Sequence, residues 1–211
     1  MSKIKTVGIV GTGVIGTGWI IRNLAHNKIV HAYDQNKNLK NYVLKEIKRT
    51  SKSIKKLFGK KILIKNLKFF NSLEKALSNV DFVQESVLEN YKVKTDLIQK
   101  ISKYVKSNVI ISSSSSGLLP SKIFSKSKNP QRGIIGHPFN PAYLLPAVEI
   151  VPGKKTTRKF LSDANKYYKS ISMRPIMLKK ELPGYLSDRL QEHCGERVYI
   201  LLMKIMQQHR N

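Results

Sequence analysis

Hydrophobic positions along this chain repeat with two periods, and the switches between them divide it into short elements. Thr6-Val7-Gly8-Ile9-Val10 is a β-branched apolar run that reads as a strand. From Val14 to Asn27 the apolar residues Ile15, Trp19, Ile20 and Leu24 recur at helical spacing. Ile29–Tyr33 predicts a second strand ending on Asp34, and Asn38–Phe58 a long Lys-rich amphipathic helix. A short strand at Leu67–Asn71, a short helix at Ser72–Ser78 and a strand at Asp81–Glu85 follow. Tyr91–Val105 predicts a helix, and Val109-Ile110-Ile111 a strand that runs into five serines, Ser112–Ser116. Further strands are expected at Gly133–His137, Ala147–Val151 and Arg174–Leu178, with a helix at Thr156–Ser170. Pro183-Gly184 then marks a break before one last helical run. Strands alternating with helices at this spacing predict an α/β fold: an open, doubly wound, mostly parallel sheet covered by helices on both faces. The serine run sits at a strand end, on the edge where such a sheet binds ligands.

Composition narrows the class. The 211 residues leave room for one large domain or two small ones, and 41% apolar residues suffice for a packed core. No stretch approaches the roughly 20 uninterrupted apolar residues of a membrane helix. Met1-Ser2-Lys3-Ile4-Lys5 leads straight into the first strand rather than into a signal-peptide core. Cys194 is the single cysteine, which excludes a disulfide framework and a Cys-based zinc site. A cytoplasmic protein that needs neither metal nor membrane is the expectation. Lys+Arg 39 against Asp+Glu 13 gives a net charge of +26, a balance that can signal nucleic-acid binding. Here 31 of the cations are Lys and 8 are Arg, scattered apart from modest clusters at Lys52–Lys61 and Lys179-Lys180. Arg is the residue suited to reading phosphates and bases, and no aromatic-interleaved basic stripe is present. The charge therefore reads as compositional bias and not as a nucleic-acid site, with an attraction for acyl-CoA or another polyanion as the alternative.

Three local patterns carry chemistry. Gly11-Thr12-Gly13-Val14-Ile15-Gly16 follows a strand and opens a helix. Gly11 suits the tight turn, Gly13 the approach of a pyrophosphate, and Gly16 close helix–strand packing, with the helix N-terminus offering N–H groups to the phosphates. Asp34 lies 18 residues after Gly16, where a carboxylate suits the adenosine ribose hydroxyls and disfavours the 2′-phosphate of NADP. His137, in Gly136-His137-Pro138-Phe139-Asn140-Pro141, stands at a strand end, where a histidine can take the proton of a secondary alcohol as hydride leaves. Glu149, twelve residues on, is the carboxylate that could fix its tautomer, although a histidine in a Pro-flanked loop also serves purely structural ends. Ser116 could bond a substrate oxygen, or be one serine among five.

Taken in order, these motifs resemble the 3-hydroxyacyl-CoA dehydrogenase family. The resemblance also includes Gln84-Glu85-Ser86, Glu89, Lys94, Ser116-Gly117 and Pro183-Gly184, and covers residues from about 4 to 193. Trp19 and Tyr143-Leu144-Leu145-Pro146 look like the branch that holds L-carnitine dehydrogenase, near the L-gulonate 3-dehydrogenase (lambda-crystallin) branch. The resemblance implies a Rossmann-type NAD-binding domain over 1–182, followed over 183–211 by the start of an all-helical C-terminal domain. It implies NAD contacts from Gly11, Thr12, Gly13, Val14, Ile15, Gly16, Asp34, Glu89 and Lys94. It implies His137 as catalytic acid/base paired with Glu149, Ser116 on the substrate oxygen, and Asn140 and Asp188 on the substrate. The family's usual Asn falls at Asp188 here, which suits a cationic substrate better than an acyl-CoA; a helix N-terminal Asp favoured by the dipole is the ordinary alternative. The implied reaction is NAD-dependent oxidation of the 3-hydroxyl of L-carnitine, with a 3-hydroxyacyl-CoA or L-gulonate as other substrates. The resemblance implies a homodimer for family members of full length, a state this shorter chain is not expected to keep.

After His193 the pattern departs abruptly from the family. Gly195 falls where a helix interior is expected, at a cost of about 1 kcal/mol relative to Ala. The codons from the third base of Cys194 onward can encode Trp-Arg-Glu-Gly-Leu in the shifted frame, which is similar to the family pattern. A frameshift near Cys194 is the expectation, leaving Leu201, Leu202, Ile205 and Met206 on an unpartnered apolar face. The encoding DNA decides this: a stop within a few shifted codons would exclude it.

Overall fold

The computed structural model describes the backbone of residues 4–208 and the side chains of residues 4–197. In chain order the elements are β1 (Thr6–Val10), α1 (Val14–Ala25), β2 (Ile29–Tyr33), α2 (Leu39–Phe58), β3 (Leu67–Phe70), α3 (Leu73–Leu77), β4 (Phe82–Glu85) and α4 (Tyr91–Tyr104). Then come β5 (Ile110–Ser113), α5 (Pro120–Ile123), β6 (Gly133–Pro138), β7 (Ala147–Pro152), α6 (Arg158–Ser170), β8 (Arg174–Met177) and α7 (Ser187–Gln208). The strands form one sheet in the order β3-β2-β1-β4-β5-β6-β7-β8. All neighbours are parallel except β6 and β7. The order reverses between β1 and β4, and in a doubly wound sheet ligands bind in the crevice beyond the strand ends at that point.

Successive side chains of a strand point to opposite faces, and adjacent apolar pairs feed two separate cores. Ile9, Phe82, Ile110, Ile134 and Ile150 pack with Trp19, Leu24, Val43, Ile47 and Tyr168 from α1, α2 and α6. Their neighbours Val10, Val83, Ile111, Ile135 and Val151 pack with Leu77, Ile98, Ile101 and Ile123 from α3, α4 and α5. That double burial is why the strands read as continuous apolar runs and not as alternating ones. Helix α2 buries only Val43, Ile47, Thr50 and Ile54, a single stripe, so its lysines face outward.

The boundaries differ from the sequence reading where local chemistry intervenes. Helix α1 stops at Ala25 because Asn27 adopts φ 59°. Strand β5 continues into the serines, since Ser112 bonds the Tyr168 hydroxyl and Ser113 the Glu85 carboxylate, so both are buried with partners. Helix α6 starts at Arg158, two residues late, because Thr156 Oγ1 is engaged by Gly133 O and Gly153 N–H. Helix α7 runs through Gly195. The side chains of Leu201, Leu202, Ile205 and Met206 lie outside the described residues.

Candidate active site

The glycine turn between β1 and α1 is held from two sides. Gly11 takes φ +88°, and a Cβ there would stand 2.6 Å from the Ser86 carbonyl oxygen; a Cβ on Gly16 would stand 1.9 Å from Gly11 O. Gly13 differs: nothing lies within 4 Å of its Cβ position. The protein itself therefore does not demand glycine at 13, whereas a ligand drawn against the backbone does. The first turn of α1 has no acidic residue and no side-chain cap, leaving its N–H groups to an anion. Asp34, at the end of β2, accepts from Thr12 N–H at 2.6 Å and from Asn36 N–H at 2.9 Å. Gly11, Gly13, Tyr33 and Asp34 line a groove of about 330 Å³ that shares Ser86 and Val87 with a second cleft. An open Gly13, an uncapped helix start and a ribose-ready carboxylate along one groove fit a dinucleotide.

The second cleft, of about 500 Å³, brings together Ile15, Glu89, Ser116, His137, Asn140 and Asp188. His137 and Glu149 are directly opposite each other in the antiparallel β6–β7 pair, so both side chains leave the sheet on one face. His137 Nδ1 lies 2.8 Å from Glu149 Oε2. Glu149 is fully buried, and accepts further bonds from Ser187 Oγ and from the N–H groups of Leu186 and Ser187 at the start of α7. Burial alone would raise its carboxyl, but the bonds from His137, Ser187 and Leu186 outweigh it and hold the group below its ordinary 4.5. An ionised Glu149 fixes the proton of a neutral imidazole on Nδ1 and leaves Nε2 as a base toward the cleft.

The serine loop between β5 and α5 is clamped from both ends. Glu89 Oε1 accepts from Ser115 Oγ at 2.5 Å, Ser116 N–H at 3.0 Å and Gly117 N–H at 3.3 Å. Tyr185, buried and at φ 43°, donates to Leu118 O at 2.6 Å. Burial pushes its hydroxyl up, so it keeps the proton it donates. The Ser116 side chain is left facing the cleft.

Two sequence-predicted contacts are placed differently. Lys94 does not reach the cleft: it is 1% exposed and its ammonium donates to Glu85 Oε1 at 2.8 Å and Val87 O at 3.1 Å, with Glu89 Oε2 at 3.5 Å. Its ammonium is engaged inside the protein by two hydrogen bonds and an ion pair, a correction to its reading as a direct cofactor contact. Thr12 is buried, and its hydroxyl lies 3.3 Å from Asp34. Val14, by contrast, stands 59% exposed.

Several site residues escaped the sequence reading. Ser114 lines the cleft and is bonded by Trp19 Nε1 at 3.0 Å, Gln84 Nε2 at 2.8 Å and Ser86 Oγ at 2.8 Å. Ser187 and Gln191 join Asp188 on the cleft side of α7. Arg22, buried in α1, donates to the carbonyls of Ala142 and Leu145 at 3.0 and 2.9 Å, and so holds the loop after the cis Asn140–Pro141 bond. The i, i+3, i+4 pattern of α7 was the one available signal for Gln191.

A mostly parallel sheet with a glycine turn at its switch point, beside a cleft that His137 lines with Glu149 buried behind it, is the architecture of a dinucleotide-binding domain. The family follows from comparison. Residues 6–182 match the model of the 3-hydroxyacyl-CoA dehydrogenase NAD binding domain, and the chain belongs to that family, with NAD as its cofactor. It is 40% identical over 190 residues to an L-carnitine dehydrogenase of Oceanobacillus iheyensis, covering 90% of this chain and 62% of that protein. It is 41% identical over 193 residues to one of Pseudomonas putida, covering 91% and 60%. The chain thus spans about 60% of the length of these relatives. Among solved structures, an (S)-3-hydroxybutyryl-CoA dehydrogenase from Ralstonia eutropha superposes with a TM-score of 0.79 at 26% identity, covering 90% of this chain and 68% of that one. A 5-formyl-3-hydroxy-2-methylpyridine 4-carboxylic acid 5-dehydrogenase superposes at 0.88 and 23% identity, covering 96% and 66%, and shares the fold.

Proposed function

We propose that this chain carries the NAD-binding and proton-transfer half of an enzyme that oxidises the 3-hydroxyl of L-carnitine to 3-dehydrocarnitine. The observation that carries the reading is the His137–Glu149 pair, 2.8 Å apart, on the cleft that adjoins the glycine-turn groove. NAD, when bound along Gly11, Gly13 and Asp34, supplies the hydride acceptor. His137 Nε2 takes the hydroxyl proton, and Glu149 stabilises the resulting imidazolium. Ser116 Oγ donates to the substrate oxygen, and Asn140 fixes orientation at the rim. Glu89 acts on the serine loop, whose N–H groups it holds, and Lys94 acts by keeping Glu85 and Glu89 in place.

The substrate rests on charge. Glu89 and Asp188 line the cleft, and among the described residues no Lys or Arg joins them there. Such a lining favours a quaternary ammonium and disfavours the phosphates of an acyl-CoA. The identity to L-carnitine dehydrogenases supports the same choice. A substrate panel read by NADH absorbance tests it: L-carnitine should be oxidised and 3-hydroxybutyryl-CoA and L-gulonate should not. Oxidation of the acyl-CoA alone would overturn the substrate. No described helix is long and apolar enough to cross a membrane, and the reading places the protein in the cytoplasm with a small-molecule substrate.

A further inference from the structure

The start of α7 is tied to the same carboxylate that holds His137. Glu149 Oε1 accepts the N–H groups of Leu186 and Ser187, each at 3.0 Å. Glu149 Oε2 faces two partners at once, His137 Nδ1 at 2.8 Å and Ser187 Oγ at 2.5 Å. The serine must donate, since an ionised carboxylate has no proton to give. Imidazole and hydroxyl therefore draw on the charge of one oxygen. The backbone N–H groups would cap Glu149 with any side chain at 187, so the hydroxyl is an addition beyond what docking the helix requires.

We propose that Ser187 is a positioning residue of the His137–Glu149 pair, setting how strongly Glu149 holds the imidazolium and linking that hold to the seating of α7. Its consequence for turnover rests on the acid/base role proposed for His137; the coupling itself does not. Among the described residues, three carboxylates and one tyrosine share the surroundings of His137. Glu149 comes from β7, Asp188 from α7 and Glu89 from the loop after β4, while the Tyr185 ring lies 5.8 Å away. Oε2 is the carboxylate oxygen in contact with the ring. Removing the Ser187 hydroxyl returns charge to Oε2 and strengthens its hold on the imidazolium.

Nitrogen-15 histidine NMR of the 211-residue chain tests this without needing turnover. Ser187→Ala should raise the His137 titration midpoint by about half a pH unit and leave the remaining histidines unmoved. Ser187→Thr, which keeps the hydroxyl, should restore the midpoint. Ser187→Cys, a weak donor, should fall between, and it serves as the readout if the Ala variant does not fold. An unchanged midpoint in the Ala or Cys variant, or a Thr variant that behaves like Ala, overturns the proposal. A shifted midpoint in a chain that binds no NAD by calorimetry overturns the dehydrogenase reading and leaves the coupling standing. In active enzyme the acid limb of the kcat profile should move with the midpoint, at constant KM.

Discussion

Glu149→Gln keeps the shape of the side chain and reverses what one of its ends can do. The wild-type carboxylate accepts four donors: His137 Nδ1, Ser187 Oγ and the N–H groups of Leu186 and Ser187. An amide has one oxygen and one NH₂. The two backbone donors cannot turn, so the oxygen faces them and the NH₂ faces Nδ1 and the serine oxygen. His137 must then accept at Nδ1 and carry its proton on Nε2, where it no longer serves as a base. A wrong tautomer of this kind costs roughly 10⁴-fold in turnover when geometry is otherwise kept. Charge-assisted bonds are about twice as strong as neutral ones, so neutralising these four costs on the order of 2 kcal/mol after relief of desolvation. For a chain of this size that lowers Tm by about 4–8 °C. The wild-type advantage has a pH window. Glu149 titrates below its ordinary 4.5, so its contribution is complete above that value and is lost as pH falls through its lowered folded value. The two melting curves should converge in acid. Long-range nitrogen-15 NMR reads the tautomer directly. A Gln variant with the proton still on Nδ1 and more than a tenth of wild-type turnover would refute the reasoning.

Gly13→Ala should leave Tm within about 1 °C and weaken NAD binding more than tenfold by calorimetry, because its Cβ enters open space that only a ligand fills. Gly16→Ala, whose Cβ meets Gly11 O at 1.9 Å, should instead destabilise the fold by several kcal/mol, on the order of 3, in a denaturant melt. Asp34 should make NAD bind at least tenfold more tightly than NADP; equal affinities would contradict its reading as the ribose partner. Arg22→Met removes donors to Ala142 O and Leu145 O and should cost about 2–3 kcal/mol of stability and loosen the Asn140–Leu145 loop, seen as faster amide exchange.

The sheet was legible because its central strands are buried on two faces and so carry two adjacent apolar residues, as in Ile134-Ile135 and Ile150-Val151. The glycine turn and the His137–Glu149 spacing were legible because their chemistry is local or rides on neighbouring strands. Strand direction was not: nothing in Ala147–Val151 marks it as antiparallel to β6. Polarity misled at β5, where Ser112 and Ser113 are core positions made tolerable by Tyr168 and Glu85, partners distant in sequence. Lys94 misled for the same reason, since a lysine 1% exposed is recognisable only once Glu85 and Val87 are seen around it. Ser187 carried no signal at all, its partner being 38 residues away.

The pairing of β6 with β7 also bears on how this scaffold can change. His137 and Glu149 sit on two hydrogen-bonded strands, and the segment that joins them, residues 139–146, supplies Phe139, Asn140 and Leu145 to the cleft. Strand register, rather than the joining loop, fixes where His137 and Glu149 meet, and a slip of one residue would send the glutamate to the opposite face. The loop can therefore exchange side chains that face the cleft without moving the pair, so long as its Ala142 and Leu145 carbonyls keep their bonds to Arg22. Redesign of what the cleft accepts can begin there, with His137 and Glu149 held by the strands.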